Sequence, residues 1–356
     1  MNQQPVSNLP IYKPASTRIP HSPSEIVSLG LEYCFLTCAI LLFFQGMTPR
    51  WDKLINDLSI NFLAIMLEAL PFMLIGSLVS GLIEVFVPIA WIDRIFHQRK
   101  TMAVFLAGSM GLFFPVCECA IVPVVRRLLS KGIPLSAAIT FLLAGPIVNV
   151  IVAASTAIAY RYDWTFVAVR LGIGYALAVF IGLLVGRFFN RGNGLLPTWK
   201  TRTSCGCGHD HGNVKQPLFI RLRHALEHAS DDFFDVGRYL VIGAFITALM
   251  RSTLDMNTFL HLMDSPWLAI LLMMAMAIIL NLCSETDAFI AASFRGLLPD
   301  SAQMAFMVLG PMLDIKLILM YFSVFRKRTI LFLILTVFTT VFLAMLGLQF
   351  LFPNLS

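Results

Sequence analysis

Two short stretches of the chain combine residue types that can do chemistry. The first reads Phe114-Pro115-Val116-Cys117-Glu118-Cys119, then Ala120-Ile121-Val122-Pro123. Two thiols flanking a carboxylate suit a soft cation such as Cu(I), Zn(II) or trivalent arsenic. Pro115 and Pro123 each remove a backbone donor and disfavour a continuous helix, so an unwound segment would present carbonyls and thiols together. The second stretch reads Asn281-Leu282-Cys283-Ser284-Glu285-Thr286-Asp287-Ala288. Both end long apolar runs, and a carboxylate at bilayer depth costs about 2.5–3.5 kcal/mol on insertion scales. Glu285 and Asp287 are therefore candidates for ion coordination or proton coupling. The competing readings are cysteines packed as small hydrophobes and carboxylates that cap the helix after Ser284 or lie at the outer interface.

Other polar residues recur in equivalent settings. Asn149 and Asp314 each follow a Gly-Pro pair inside an apolar run, as Gly145-Pro146-x-x-Asn149 and Gly310-Pro311-x-x-Asp314. An amide and a carboxylate facing a common axis suit cation binding. Lys316 neutralising Asp314, or a plain interhelical hydrogen bond, is the structural alternative. Glu68 and Asp235 are weaker candidates. The central loop carries Cys205, Cys207, His209 and His211 at alternate positions in a Gly-rich segment, a pattern that can bind a transition metal. The spacing is not that of a structural zinc finger. It marks a metal-sensing or delivery arm, with a soluble metal-handling partner, or a solvated linker. Cys34 and Cys38, four apart, read as helix packing.

No catalytic signature appears: there is no G-x-S-x-G, H-E-x-x-H or Walker loop. The expectation is a transporter and not an enzyme. A thiol-redox or maturation protein using Cys117, Cys119 and Cys283 is the alternative, although C-x-x-C is absent.

The elements that must position these residues are membrane helices. The chain has 356 residues, 58% of them hydrophobic, with charged residues at 13%, about half the usual share of a soluble chain. A soluble protein of that composition could not cover its surface with polar groups, whereas a bilayer accepts outward apolar side chains. Apolar runs span roughly 26–46, 57–88, 101–116, 134–158, 164–187, 233–253, 267–282, 301–324 and 329–351, most near the ~20 residues that cross a bilayer. Shorter, more polar stretches at about 118–130 and 284–297 follow two of these runs directly. Each pair predicts a broken or re-entrant hairpin, which needs protein or a wet cavity around its non-helical backbone.

The net charge of +6 comes from residues lying between the runs, without interleaved aromatics. That placement follows the positive-inside rule and excludes a nucleic-acid partner. The expected organisation is a disordered cytoplasmic tail (1–25), a first transmembrane half (26–188), a cytoplasmic loop (189–232) and a second transmembrane half (233–352). The tail lacks the apolar core of a signal peptide. The seven cysteines do not form a secreted disulfide framework.

The halves repeat. Leu67-Glu68 and Gly76 correspond to Phe234-Asp235 and Gly243, Cys117 to Cys283, Pro134-x-Ser136-Ala137 to Pro299-x-Ser301-Ala302, and Asn149 to Asp314. The offset stays between 165 and 167 residues. Duplication is the expected origin. Arg94, Arg99, Lys100, Arg126, Arg127 and Lys131 flank the first hairpin and place its ends in the cytoplasm. The second hairpin has sparse flanks, and Arg326-Lys327-Arg328 follows later. The fold expected is all-α: a polytopic protein of the cell membrane, in two repeated and inverted helix sets, with a small-molecule or ion site near the midplane.

The chain also resembles a known family, from about residue 57 to 325. Pro115, Cys117, Cys119, Pro123, Lys131-Gly132-x-Pro134, Phe141-Leu142 and Pro146-x-x-Asn149 look like one signature of the predicted permeases that include the ArsP-type organoarsenical efflux permeases. Cys283-Ser284-Glu285-x-Asp287-Ala288-Phe289 and Gly310-Pro311-Met312-x-Asp314-x-Lys316 look like the other. Glu118-Cys119-Ala120 departs from the pattern, which has a small residue, Cys and then Gly. The resemblance implies a transport role in a bacterial-type cytoplasmic membrane. The expected substrate contacts are Cys117, Glu118, Cys119, Asn149, Cys283, Glu285, Asp287 and Asp314.

Overall fold

A computed structural model describes residues 49–86, 100–113, 117–189, 194–195, 218–253 and 265–351. The N-terminal tail, the run at 26–46 and the Cys/His motif of the central loop lie outside the described residues. Met1–Asp57 is a unit apart, described only where α1 begins, and Leu58–Ser356 forms one compact unit.

Twelve helices are described, and they fall into two sets of six in the same order. The first set is α1 (Pro49–Phe86), α2 (Lys100–Phe113), α3 (Glu118–Ser130), α4 (Leu135–Ala144), α5 (Val150–Ala159) and α6 (Trp164–Phe188). The second is α7 (Leu218–Thr253), α8 (Pro266–Leu280), α9 (Ser284–Ser293), α10 (Asp300–Leu309), α11 (Ile315–Tyr321) and α12 (Lys327–Leu351). Among the described residues α1, α6, α7 and α12 contain segments long and apolar enough to cross a membrane. Leu63, Leu67 and Leu74 on α1 and Leu331, Leu335 and Leu343 on α12 are more than half exposed. Lipid is the medium in which that outward apolar surface is stable.

The remaining helices are too short to cross alone. At 1.5 Å per residue, α4 and α5 are each about 15 Å long against a core of about 30 Å. The apolar run at 134–158, read as one span, is thus two half-helices broken at Gly145–Asn149, and 301–324 breaks likewise at Gly310–Asp314. The breaks are built the same way twice. Pro134 and Pro299 stand at the N-caps of α4 and α10 with φ −57 in both. Asn149 and Asp314 cap α5 and α11, accepting the backbone N–H of Val152 at 2.7 Å and of Leu317 at 2.5 Å. Each side chain satisfies one of the donors a helix start leaves orphaned.

The hairpins match as closely. Cys117 and Cys283 are the N-caps of α3 and α9, with φ/ψ of −73/167 and −77/155. A thiol is a weak acceptor, and neither makes a side-chain cap. The second break needs a left-handed residue, and Asn281 supplies it with φ 47 and ψ 56. Asparagine tolerates that region better than any branched residue.

The two sets run in opposite senses. Beyond α9, Arg295 lies 4.0 Å from Asp163 and donates to the Tyr160 carbonyl at 3.5 Å, at the junction of α5 and α6. Beyond α11, the Arg326 N–H and Nε donate to the carbonyls of Gly194 (3.1 Å) and Leu195 (2.8 Å), just past the other end of α6. Equivalent helices α5 and α11 therefore finish at opposite ends of a 25-residue helix. The repeat is inverted.

Equivalent glycines, Gly76 on α1 and Gly243 on α7, bring the long helices against the half-helices. A Cβ on Gly76 would lie 2.6 Å from the Ala120 backbone, and one on Gly243 would lie 2.9 Å from Lys316 Cα. Gly76→Ala is expected to cost on the order of 1–3 kcal/mol through overpacking at the α3 tip, read as a lower thermal midpoint in detergent. An unchanged midpoint would show that α1 yields freely.

Candidate functional site

The hairpin breaks and the start of α11 surround one small cavity. It is lined by Ile65, Glu68, Ala69 and Phe72 of α1, Cys117, Glu118 and Cys119 at the tip of α3, Asn281 and Cys283 at the second break, and Lys316 of α11. Its volume is about 10 Å³, the room of one water molecule. The site is narrow in this conformation and draws on both repeats.

Lys316 organises its charge. Its Nζ donates to Glu118 Oε1 at 3.2 Å and lies 3.8 Å from Asp314 Oδ2, with all three side chains buried. The second oxygens of both carboxylates, Glu118 Oε2 and Asp314 Oδ2, have no hydrogen-bond partner. Asn281 Nδ2 donates to Thr247 Oγ1 on α7 at 2.9 Å, and its Oδ1 is left without a donor. Cys283 Sγ is 3.1 Å from Thr286 Oγ1. Cys117, Cys119 and Cys283 are free thiols. The positive ends of α3 and α9 both point at this centre, which offsets the crowding of carboxylates around it.

Of the residues singled out from sequence, Cys117, Glu118, Cys119 and Cys283 border the cavity, as does the weaker candidate Glu68. Asn149 and Asp314 do not; they are helix caps, and Asp314 reaches the site only through Lys316. Glu285 is half-buried on α9 away from the cavity lining. Asp287 is buried one turn along α9, with Oδ2 unpartnered. Asp235 takes a bond from Arg126 Nη2 at 2.7 Å. It belongs to a separate ion cluster at the far end of α3, where Arg127 Nε and Ser80 Oγ donate to Asp232 at 2.6 and 2.7 Å. Cys205, Cys207, His209 and His211 lie outside the described residues. Among the described residues no three Cys, His, Asp or Glu side chains are grouped closely enough to hold a metal ion.

Sequence reasoning missed Arg170. It lies fully buried in α6 and donates Nη1 to Thr156 Oγ1 at 2.6 Å and Nη2 to the carbonyls of Ser284 at 2.7 Å and Met307 at 3.3 Å. It thereby ties α6 to α5, α9 and α10. The available signal was a lone guanidinium in the middle of the 164–187 apolar run, where an ionisable residue needs a partner.

The UPF0718 protein YcgR of Bacillus subtilis is 41% identical over 283 residues, covering 80% of this chain and 93% of its own length. A protein of Streptococcus mutans named as a putative two-component membrane permease complex subunit is 36% identical over 270 residues, covering 76% and 87%. The UPF0718 protein YraQ of Escherichia coli is 25% identical over 144 residues, 40% of each chain. No solved structure matches. The model of the ArsP-type family, described as predicted permease, matches residues 55–350, and this chain, a multi-pass membrane protein, belongs to that family.

Proposed function

We propose that this permease is a secondary transporter of the cytoplasmic membrane, not an enzyme, and that its cargo is a thiophilic species of the trivalent arsenical or soft-metal class. The observation that carries the proposal is the convergence of three free thiols, from both inverted repeats, on one narrow cavity at the helix breaks. Sulfur is the donor that selects soft, thiophilic species over hard cations. Half-helix ends meeting between inverted repeats are the setting in which secondary transporters hold substrate. The cavity has room for a single water, so admitting cargo requires it to widen, towards one face at a time. The basic flanks of the first hairpin and of the central loop support a cytoplasmic N-terminus, and export is the direction proposed. The S. mutans relative is named as a complex subunit, which supports a second component for this chain as well. The Cys/His segment of the central loop is the proposed contact for a metal-handling partner.

Proteoliposomes holding the purified full chain test this directly, with phenylarsine oxide, Cu(I) and Zn(II) as separate probes. Replacing Cys117 and Cys119 together by serine is expected to cut exchange of the transported probe at least about tenfold while protein abundance stays constant. Unchanged exchange in the double variant would remove the thiol site. A redox-dependent mobility shift lost in Cys283→Ser, without transport of any probe, would favour thiol–disulfide exchange instead.

A further inference from the structure

The buried carboxylates near the cavity are not equivalent. Glu118 is bonded to Lys316, and Asp314 caps α11 and sits beside the same ammonium. Glu285 is half-exposed. Asp287 is 1% exposed, makes no ion pair within 4 Å among the described residues, and its Oδ2 has no hydrogen-bond donor. An ionised carboxylate left so bare at that depth is among the costliest groups a membrane protein can hold.

The repeat supplies a control for this position. In the first half, Ile121 of α3 packs its Cδ1 on Gly145, the C-cap of α4. In the second half, the equivalent helix places Asp287 Oδ2 on Gly310, the C-cap of α10, where a Cβ would lie 2.6 Å from that oxygen. The same packing niche thus takes an isoleucine once and a carboxyl group once. A neutral carboxyl suits a niche shaped for an apolar side chain, whereas a carboxylate does not.

The surroundings lead to the same conclusion. Arg170 of α6 is the main cation acting on Asp287, but its guanidinium bonds go to a hydroxyl and two carbonyls. Glu118 of α3 and Asp314 and Lys316 of α11 also act on Asp287, as does Arg251 of α7. Helices α5 and α10, which pack directly on α9, carry no ionisable residue apart from Asp300 at the outer start of α10. In the buried centre, three carboxyl groups (Glu118, Asp287, Asp314) face two cations (Arg170, Lys316). One proton balances these fully buried groups, with the half-buried Glu68, Arg251 and Glu285 outside the count. A metal cation would need several oxygen ligands, and no such grouping is present among the described residues.

We propose that Asp287 carries the coupling proton of this permease: it is protonated while the site is narrow, as in this conformation, and releases that proton as the site widens. This rests on the permease reading above. Release leaves a carboxylate, which draws on the charge of Arg170 and on water admitted by the opening, and re-protonation from the other side resets the cycle. Coupling through one carboxyl separates two transport modes. Exchange of cargo for cargo needs no net movement of protons, whereas accumulation driven by a pH gradient does.

The test uses proteoliposomes of the full chain, with phenylarsine oxide as probe. In Asp287→Asn, exchange is expected to persist within about threefold, while accumulation driven by the pH gradient falls at least about tenfold and probe-dependent proton flux disappears. Asp287→Glu should restore gradient-driven accumulation with a displaced pH profile. Gradient-driven accumulation at the wild-type level in Asp287→Asn would overturn the proposal, and so would loss of both modes without rescue by glutamate. A cargo-independent arm separates this from failure of the substrate reading. Infrared difference spectra of the wild type against Asp287→Asn should show a protonated carboxyl C=O band assigned to Asp287. If the wild type exchanges no phenylarsine oxide, the arsenical cargo is wrong and this band alone decides. Its presence supports the proton on Asp287 and its absence sinks it.

Discussion

Lys316→Met is expected to destabilise the protein more than any other single substitution at the site. The ammonium is the shared partner of Glu118 and Asp314, at 3.2 and 3.8 Å, in surroundings where all three side chains are buried. Removing it leaves two carboxylates without their counter-charge. Breaking a buried ion pair by deleting one partner typically costs about 3–5 kcal/mol, because desolvation of the survivor is no longer offset. Asp314 keeps its bond from the Leu317 N–H, so most of the loss should fall on Glu118. The double variant Glu118→Gln/Lys316→Met should therefore recover most of the lost stability, since replacing both partners of such a pair is often nearly neutral. The measurement is a double-mutant cycle on thermal midpoints in detergent. Simple additivity of the two losses would show that the pair is not energetically coupled.

Arg170→Met should have the next largest effect, and one with a spatial signature. The guanidinium spans α5, α9 and α10 from its place on α6, with its two shortest bonds at 2.6 and 2.7 Å. Hydrogen bonds to a charged group contribute about 1.5–3 kcal/mol each, so the expected loss is on the order of 3–5 kcal/mol. Arg170→Lys should recover only part of it, because an ammonium cannot reproduce the planar fork that reaches a hydroxyl and two carbonyls together. Backbone hydrogen exchange supplies the discriminating readout. It should accelerate in 284–293 and 300–309 and remain slow in 327–351, which Arg170 does not touch. Uniform acceleration along the chain would reduce Arg170 to a general packing residue.

Much of the architecture was legible before any coordinates. The bilayer demands that backbone polar groups be satisfied within the segment, so membrane helices must appear as long apolar runs, and they do. The departures were legible as well. Pro123 is an exception, lying inside the continuous α3, but the Gly-Pro pairs at 145 and 310 and the asparagine at 281 stand where a helix cannot run on. Local chemistry at those positions dictates the breaks in both repeats. Less visible was that 134–158 and 301–324 are each two half-helices. Their apolar content is continuous, and only a Gly-Pro followed by a capping Asn149 or Asp314 marks the join. Asn149 and Asp314 stand out as polar residues in an apolar setting, yet each caps its own helix, and Asn149 also donates back to the Gly145 carbonyl.

What the sequence by itself determined is a membrane protein of two inverted helix sets, each interrupted by a hairpin that carries thiols and carboxylates. Every part of that follows from local rules: hydrophobic length, helix breakers, caps and loop charge. What only the tertiary structure decided is which polar groups meet. Lys316 reaches Glu118 across 198 residues, and Arg170 reaches the Ser284 carbonyl across 114. No spacing rule predicts such pairings, because they arise where the two sets dock and burial forces each charge to find a partner. The same docking leaves Asp287 against Gly310 with an unpartnered oxygen, where its repeat-mate Ile121 packs on Gly145. Among carboxylates that looked alike in sequence, desolvation in the assembled core is what makes this one different.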